Sequence, residues 1–481
     1  MTKVFFYLLL CLLIWSIPST AQGYNIKFTI GQMPNKEVVI AHHAEGKIYV
    51  NDTVKLDAKG TGIFKGDKKL WKGVYVVVFS PSNYFDFIIG DNQNFSVTAD
   101  TLNTLDNISF DNSPENTAFL GFQRFWRDQY QKTQKLREDY DKDPQKEDKA
   151  VQQSYTARFG DIEKETQDYV LNLKKQFPKS ATATFTGLLL SPIIPDFSKE
   201  VPEGTKNREA EIGNKGYFYK KAHYWDYTDF TDTTLIYTPV FKSKLDDYFQ
   251  NMLIMIPDTV YKACAEIIEK ARPSKLMYRF LNDYCLDYTY QNKIMGMDEA
   301  FVKLGERYYL DKKADWVDAK RMKTIEEEVY KRMYNLIGHE AVELKLPNLD
   351  GNWVSLHETK APFTFLLFWE PNCGHCKKQV PLVKAEILNR FKPYGLKVFA
   401  VQTHTNKEEW EKFVADHDLF DFINCWDPNR QSNYWTYYNV FSTPVMYLLD
   451  KNKKIIAKQL DIEQFADILK QEYKKQGIEI K

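Results

Sequence analysis

Between residues 24 and 112 short apolar, β-rich runs, at 26–30, 37–42, 47–50, 73–79, 85–89 and 95–99, alternate with polar and turn residues. Turn residues such as Gly60-Thr61-Gly62 and Pro81-Ser82-Asn83 break them. Many short strands at even spacing predict a small β-sandwich. From 113 to 335 the character changes. Apolar residues recur at helical spacing over 118–140, 146–177, 242–252, 259–271, 276–290, 297–304 and 314–335, which predicts an all-α region. The segment 139–149, with Pro144, reads as a solvated turn, and 192–216 as a long connection.

From 336 onward the pattern changes again. The run 364–369 is continuously apolar or aromatic apart from Thr364, as a strand covered on both faces requires, and 397–402 reads the same way. Helical periods follow at 373–391, 407–416, 429–438 and 462–473. Short strands are predicted at 344–346 and 353–356, flanking the Asp350-Gly351 turn signal, and at 420–425, 445–449 and 454–458. Strands and helices that alternate, then close with a hairpin and a terminal helix, predict a mixed sheet with helices on both faces. The chain therefore reads as multidomain: a β-sandwich domain at 24–112, a helical domain at 113–335 and an α/β domain at 336–481.

Its length of 481 residues agrees with that division, at roughly 100–200 residues per domain. At the N-terminus a single Lys3 precedes an apolar run over 4–15, then Pro18 and the small residues Ser19, Thr20 and Ala21. This predicts a secretory signal peptide at 1–21, cleaved after Ala21. The run is shorter than the roughly 18 residues of a spanning helix, so no stable membrane span is expected in the mature chain. Cys11 lies inside the run and is discarded with it. The expected location is outside the cytoplasm, in the periplasm or cell envelope. Lysine plus arginine and aspartate plus glutamate each total 65. With no net charge, no nucleic-acid partner is expected.

Export leaves Cys264, Cys285, Cys373, Cys376 and Cys425 in a compartment where disulfides form. Five cannot all pair. Cys264 and Cys285 fall on consecutive predicted helices, as a disulfide or as two buried thiols, and Cys425 reads as a buried thiol. Cys373 and Cys376 stand apart because they sit where a buried strand turns into a helix. At a helix N-terminus unpaired N–H groups and the helix dipole favour the Cys373 thiolate. Cys376, about one helical turn on, is within disulfide reach. No zinc site is expected, since a structural one needs four ligands and no second close pair of Cys or His exists. The adjacent His42 and His43 point to opposite sides of a strand. A peroxiredoxin would carry threonine where Glu370 stands. The aromatic segment 223–230 reads as core filling rather than as a sugar or peptide groove. No cofactor is expected.

Several positions together make the C-terminal domain resemble the thioredoxin superfamily, and more closely the TlpA/ResA-like exported thiol-disulfide oxidoreductases. They are Trp369, Cys373-Gly374-His375-Cys376, Pro381 and Ser442-Thr443-Pro444. Ile337-Gly338-His339-Glu340-Ala341, the Asp350-Gly351 hairpin and the extra strand and helix between 402 and 442 resemble the TlpA/ResA variant. The resemblance spans 336–481 and implies an α/β thioredoxin-like fold there. It also implies a catalytic pair in Cys373 and Cys376, a cis-proline at Pro444 and backbone groups of Thr443 for an extended substrate. The regions before it look like the β-rich and helical extensions of Bacteroidetes-type exported proteins.

Cysteine-containing protein substrates and a membrane redox partner are the partners this family implies, with cytochrome c apoprotein as a candidate substrate. Three residues are expected to modulate the pair: Trp369, Glu370 and His375. His375 makes the dithiol a Cys-Gly-His-Cys arrangement like that of protein disulfide isomerases. Those work near −180 mV against about −270 mV for thioredoxin, roughly 4 kcal/mol apart. Many family members are reductases, so the direction stays open between reductase and isomerase. Two positions depart from the family. Asn372 replaces the usual tryptophan before the first cysteine, and Leu367 replaces thioredoxin's buried aspartate. Glu370 is the nearest carboxylate, either a substitute acting through water or a strand-end charge. The alternative function is an envelope protein whose N-terminal regions bind a partner or a glycan and whose redox pair is secondary.

Overall fold

The computed structural model describes residues 23–102, 105–311, 313–403 and 406–480. The signal peptide expected at 1–21 lies outside the described residues. The chain forms two compact units, one ending at Met252 and one beginning at Leu253.

The first unit opens with eight strands: β1 (Tyr24–Ile30), β2 (Glu37–Ala44), β3 (Lys47–Lys55), β4 (Thr61–Gly66), β5 (Gly73–Ser80), β6 (Asn83–Ile89), β7 (Asn94–Ala99) and β8 (Ser109–Asp111). They form two four-stranded sheets, ordered β4-β1-β7-β8 and β3-β2-β5-β6. Alternate residues of both sheets, among them Ile26, Phe28, Ile40, Val77 and Phe87, share one core, as a sandwich requires. The other face of the second sheet, with Val74 and Ile88, is covered by α1 (Pro114–Lys142) and α2 (Lys149–Gln176) through Phe119, Phe122 and Val170. Asn116 of α1 bonds both the N–H (2.7 Å) and the C=O (2.8 Å) of Ile88, so it stands in for a neighbouring strand at this sheet edge.

Helices α3 (Ala181–Leu188), α4 (Arg208–Ala222) and α5 (Phe241–Asn251) complete the unit. The connection expected over 192–216 is thus partly helical. Among its residues α4 buries only Gly216, so it has no apolar stripe to betray it. Tyr224, Trp225 and Phe230 are buried and pack with Tyr248 and Phe241, as core filling demands.

The second unit begins with four helices, α6 (Pro257–Ala271), α7 (Lys275–Gln291), α8 (Asp298–Tyr308) and α9 (Ala319–Met333). After a small hairpin of β9 (Lys345–Pro347) and β10 (Trp353–Ser355) comes the α/β domain. Its strands are β11 (Phe363–Trp369), β12 (Lys397–Gln402), β13 (Ile423–Trp426), β14 (Val445–Asp450) and β15 (Ile455–Lys458), in the order β13-β12-β11-β14-β15. β11 runs parallel to β12 and antiparallel to β14, and every one of its residues is buried. Odd positions such as Phe365, Leu367 and Trp369 enter one core and Leu366 and Phe368 the other.

Helices α10 (Gly374–Leu382) and α11 (Asn389–Phe391), joined by a π-helical stretch Val383–Leu388, then α12 (Lys407–Asp416), α13 (Tyr434–Tyr437) and α14 (Ile462–Lys475) complete the domain. The helix expected over 429–438 is only α13. The Asp427 carboxylate takes the N–H groups of Gln431 (2.9 Å) and Ser432 (2.8 Å) and holds 427–432 as a loop. Likewise the strand expected over 420–425 begins at Ile423, and α9 begins after its capping residue Asp318 rather than at 314.

The helices and the α/β domain of this unit meet at a buried charge. Lys458, on edge strand β15, is 1% exposed. It donates to Asp298 at the start of α8 and to the backbone oxygen (2.6 Å) and Oδ1 (2.9 Å) of Asn335.

Candidate active site

β11 ends at Trp369, and Glu370-Pro371-Asn372 turns the chain into α10. Cys373 is the N-cap of that helix, with an extended backbone (φ −75°, ψ 123°), and its carbonyl accepts the N–H of Lys377 at 3.0 Å. Its side chain therefore leaves the helix start half-exposed, while Cys376, one turn in, is fully buried in the core that also holds Trp369. Pro381 lies inside α10, and the missing N–H is followed by the π-helical stretch.

The loop before β14 faces this turn. The Thr443–Pro444 peptide is cis. The Cys373 thiol donates to the Thr443 carbonyl at 3.2 Å, and the Thr443 hydroxyl donates to Glu370 Oε1 at 3.0 Å. The structure thus brings Cys373, Cys376, Glu370, Thr443 and Pro444 together. Trp369 is a core residue, its ring tilted against Phe413 at 4.8 Å. The His375 ring is exposed.

These surroundings separate the two thiols. Partial burial works against a Cys373 thiolate, but the N–H of Cys376, the side chains of Thr443 and Cys376 and the N–H of His375 together outweigh it and hold the thiol below its ordinary range. His375 acts there through its backbone. Burial pushes Cys376 up to about 12, and the adjacent Cys373 adds to the rise. Burial also raises Cys425, which lies in the core on the opposite face of the sheet, and Cys285, which sits beside Cys264. Both helical cysteines are buried free thiols. At neutral pH iodoacetamide is expected to modify Cys373 in the folded, reduced protein and to spare the other four. The rate should rise along a titration below the ordinary thiol value of about 8.5, as read by mass spectrometry.

Leu367 is 0% exposed, aligned with Ala400 on one side and Met446 on the other, so the position of thioredoxin's aspartate is apolar here. Two rim residues escaped the sequence. Glu409 of α12 accepts from Asn372 Nδ2, and Tyr434 of α13 donates to the Thr403 carbonyl at 3.3 Å. No local signal marks either, because each is brought in from a distant helix. Among the described residues no group of three His, Cys, Asp or Glu side chains is arranged to hold a metal ion. Among the same residues no helix is long and apolar enough to cross a membrane.

A five-stranded mixed sheet with a dithiol at the helix start after its central strand defines the thioredoxin-like class. Residues 337–458 match the AhpC/TSA family, and 169–338 match a domain of unknown function, DUF5106. The thiol-disulfide oxidoreductase ResA of Geobacillus kaustophilus is 29% identical over 140 residues, covering 28% of this chain and 78% of that protein. ResA of Bacillus cereus is 28% identical over 122 residues, covering 25% and 68%. A domain of a possible thiol-disulfide isomerase from Cytophaga hutchinsonii is 32% identical, covering 30% of this chain and 96% of that domain, with a TM-score of 0.28. The C-terminal domain is a TlpA/ResA-like member of the thioredoxin superfamily, a thiol-disulfide oxidoreductase domain.

Proposed function

We propose that this chain is an exported thiol-disulfide oxidoreductase that exchanges disulfides with cysteine-containing proteins through Cys373 and Cys376. The observation that carries the reading is the asymmetry of the pair. One thiol is half-exposed, helix-capping and lowered, and its neighbour is buried and raised. In the reducing direction the Cys373 thiolate attacks a substrate disulfide and forms a mixed disulfide. Cys376 then attacks Cys373 Sγ, releasing the substrate thiol and leaving the enzyme disulfide; oxidation runs through the same steps reversed.

The Thr443 carbonyl, 3.2 Å from Cys373 Sγ, marks where an extended substrate backbone would pair, with Pro444 beside it. The polar Asn372–Glu409 pair on the rim replaces an apolar contact that tryptophan would offer. Export by the segment 1–21 to the periplasm or cell envelope, and recycling by a membrane redox partner, complete the proposal. Cytochrome c apoprotein is the substrate the family suggests.

The test is reduction of insulin disulfides by the dithiothreitol-recycled full chain, with the potential of the couple measured against glutathione. Turnover well above the reductant alone supports the reading, and no turnover by folded protein defeats it. A potential near −270 mV assigns a reductase, and one near −180 mV an isomerase or oxidant.

A further inference from the structure

The core between the two sheets of the sandwich ends before a row of residues on the second sheet. Tyr49 on β3, His42 on β2 and Tyr75 on β5 stand directly opposite one another. Cross-strand partners share a face, and Tyr75 belongs to the shared core, so the row is on the inner face of the sheet. His42 and Tyr49 lie outside that core and line a cavity of about 560 Å³. Trp71 and Tyr237 line it too. Their rings stack, with centroids 5.5 Å apart and planes within 10°, yet Trp71 is 61% exposed. The stack holds one face of the indole and leaves the other to solvent, a flat apolar platform fixed in place.

Polar groups converge on the same cavity. His42 Nδ1 lies 2.8 Å from Asn51 Oδ1. An amide oxygen only accepts, so Nδ1 carries the proton; His42 Nε2 is left as an acceptor beside the N–H donors of Asn51. Turning the amide over reverses the roles and still leaves one donor and one acceptor. A sugar hydroxyl both donates and accepts, so hydroxyls on neighbouring carbons satisfy such a pair. A purely apolar ligand would strand it. The charged residues lining the cavity are Lys68, Lys69 and Glu45. Neither lysine forms an ion pair among the described residues, so two ammonium groups against one carboxylate favour an anion.

We propose that this cavity binds an acidic saccharide, with a sugar ring on the open face of Trp71, hydroxyls at His42 and Asn51 and a carboxylate at Lys68 and Lys69. The C–H bonds on one side of a pyranose ring present an apolar face that packs on the indole, while the hydroxyls on its edge reach the polar pair. The site is independent of the dithiol.

The test is calorimetric titration of the full chain with trigalacturonate, and with maltotriose as the neutral comparison. Trigalacturonate is expected to bind with a dissociation constant below about 1 mM, and maltotriose at least about 10-fold more weakly. Trp71→Ala and Asn51→Ala should each weaken trigalacturonate about 10-fold or more, whereas Trp71→Phe, which keeps a flat face, should cost about threefold. Replacing Lys68 and Lys69 together by alanine should bring trigalacturonate down to the affinity of maltotriose. All variants should keep the wild-type urea midpoint, since the altered side chains are exposed. They should also keep the wild-type rate of insulin reduction, so a failure of the thiol-exchange function shows separately.

An absence of trigalacturonate binding at millimolar concentration would overturn the proposal, as would equal affinity for maltotriose or undiminished binding by Trp71→Ala. Binding of reduced, carboxymethylated lactalbumin without binding of the sugar would also overturn it, by assigning the cavity to an unfolded polypeptide.

Discussion

Cys373→Ser is expected to bring protein-disulfide exchange down to the uncatalysed background, a loss of at least about 10³-fold, with the fold retained. The size follows from the chemistry of the step. Serine at this N-cap keeps the backbone geometry of α10, but its hydroxyl does not ionise near neutral pH and cannot carry a disulfide. Cys376 offers no bypass, because it is buried and raised to about 12. Cys376→Ser should fail differently: Cys373 still attacks, and the product stops at a stable mixed disulfide with the substrate. Captured from cells, that adduct identifies the substrate by its released peptides. The stability of Cys373→Ser should change little, since a half-exposed thiol contributes little buried area. Full cellular function in an exported Cys373→Ser protein would defeat the enzymatic reading and return attention to partner or glycan binding by the N-terminal regions.

Local pattern carried a large part of this fold. The run 364–369 reads as a strand because it is buried on both faces, and the structure buries every residue of β11. The evenly spaced β-rich runs at 24–112 likewise become strands of two sheets that share a core. Legibility failed where local signals were weak or misleading. Helix α4 contains Gly213 and Gly216 and buries almost nothing, so helical periodicity is absent although the helix forms. The aromatic segment 429–438 has a helical rhythm, but Asp427 claims the N–H groups that would start the helix early.

At the site, the thiol pair was visible because both cysteines lie in one turn of sequence. Its surroundings were not, for contacts such as Thr443 with Glu370 span 73 positions. Glu370 itself was legible only as two alternatives. The structure shows Glu370 half-buried, accepting the hydroxyl of Thr443.

The second large effect is expected at Asp298, whose partner is also distant in sequence. It lies 160 positions before Lys458, yet the two form an ion pair with Lys458 only 1% and Asp298 13% exposed. Asp298→Ala is expected to destabilise the unit beginning at Leu253 by about 3–5 kcal/mol, read as a shift in urea unfolding at constant slope. The Lys458 amine would keep its two contacts with Asn335 but lose its counter-charge inside the protein.

The double variant Asp298→Ala with Lys458→Met should recover most of that loss, because no charge is then left buried and methionine fills similar space. A double variant as unstable as the single one would show that packing, not charge, was lost. The pH dependence gives a further sign. Burial already holds the Lys458 amine below its usual value, with Asp298 opposing the fall. Removing Asp298 lowers it further, so the folded state binds this proton less tightly than the unfolded chain does. Stability then rises with pH between the lowered folded value and the unfolded one of about 10.4. The single variant should therefore regain stability relative to wild type as pH is raised from 7 toward 10.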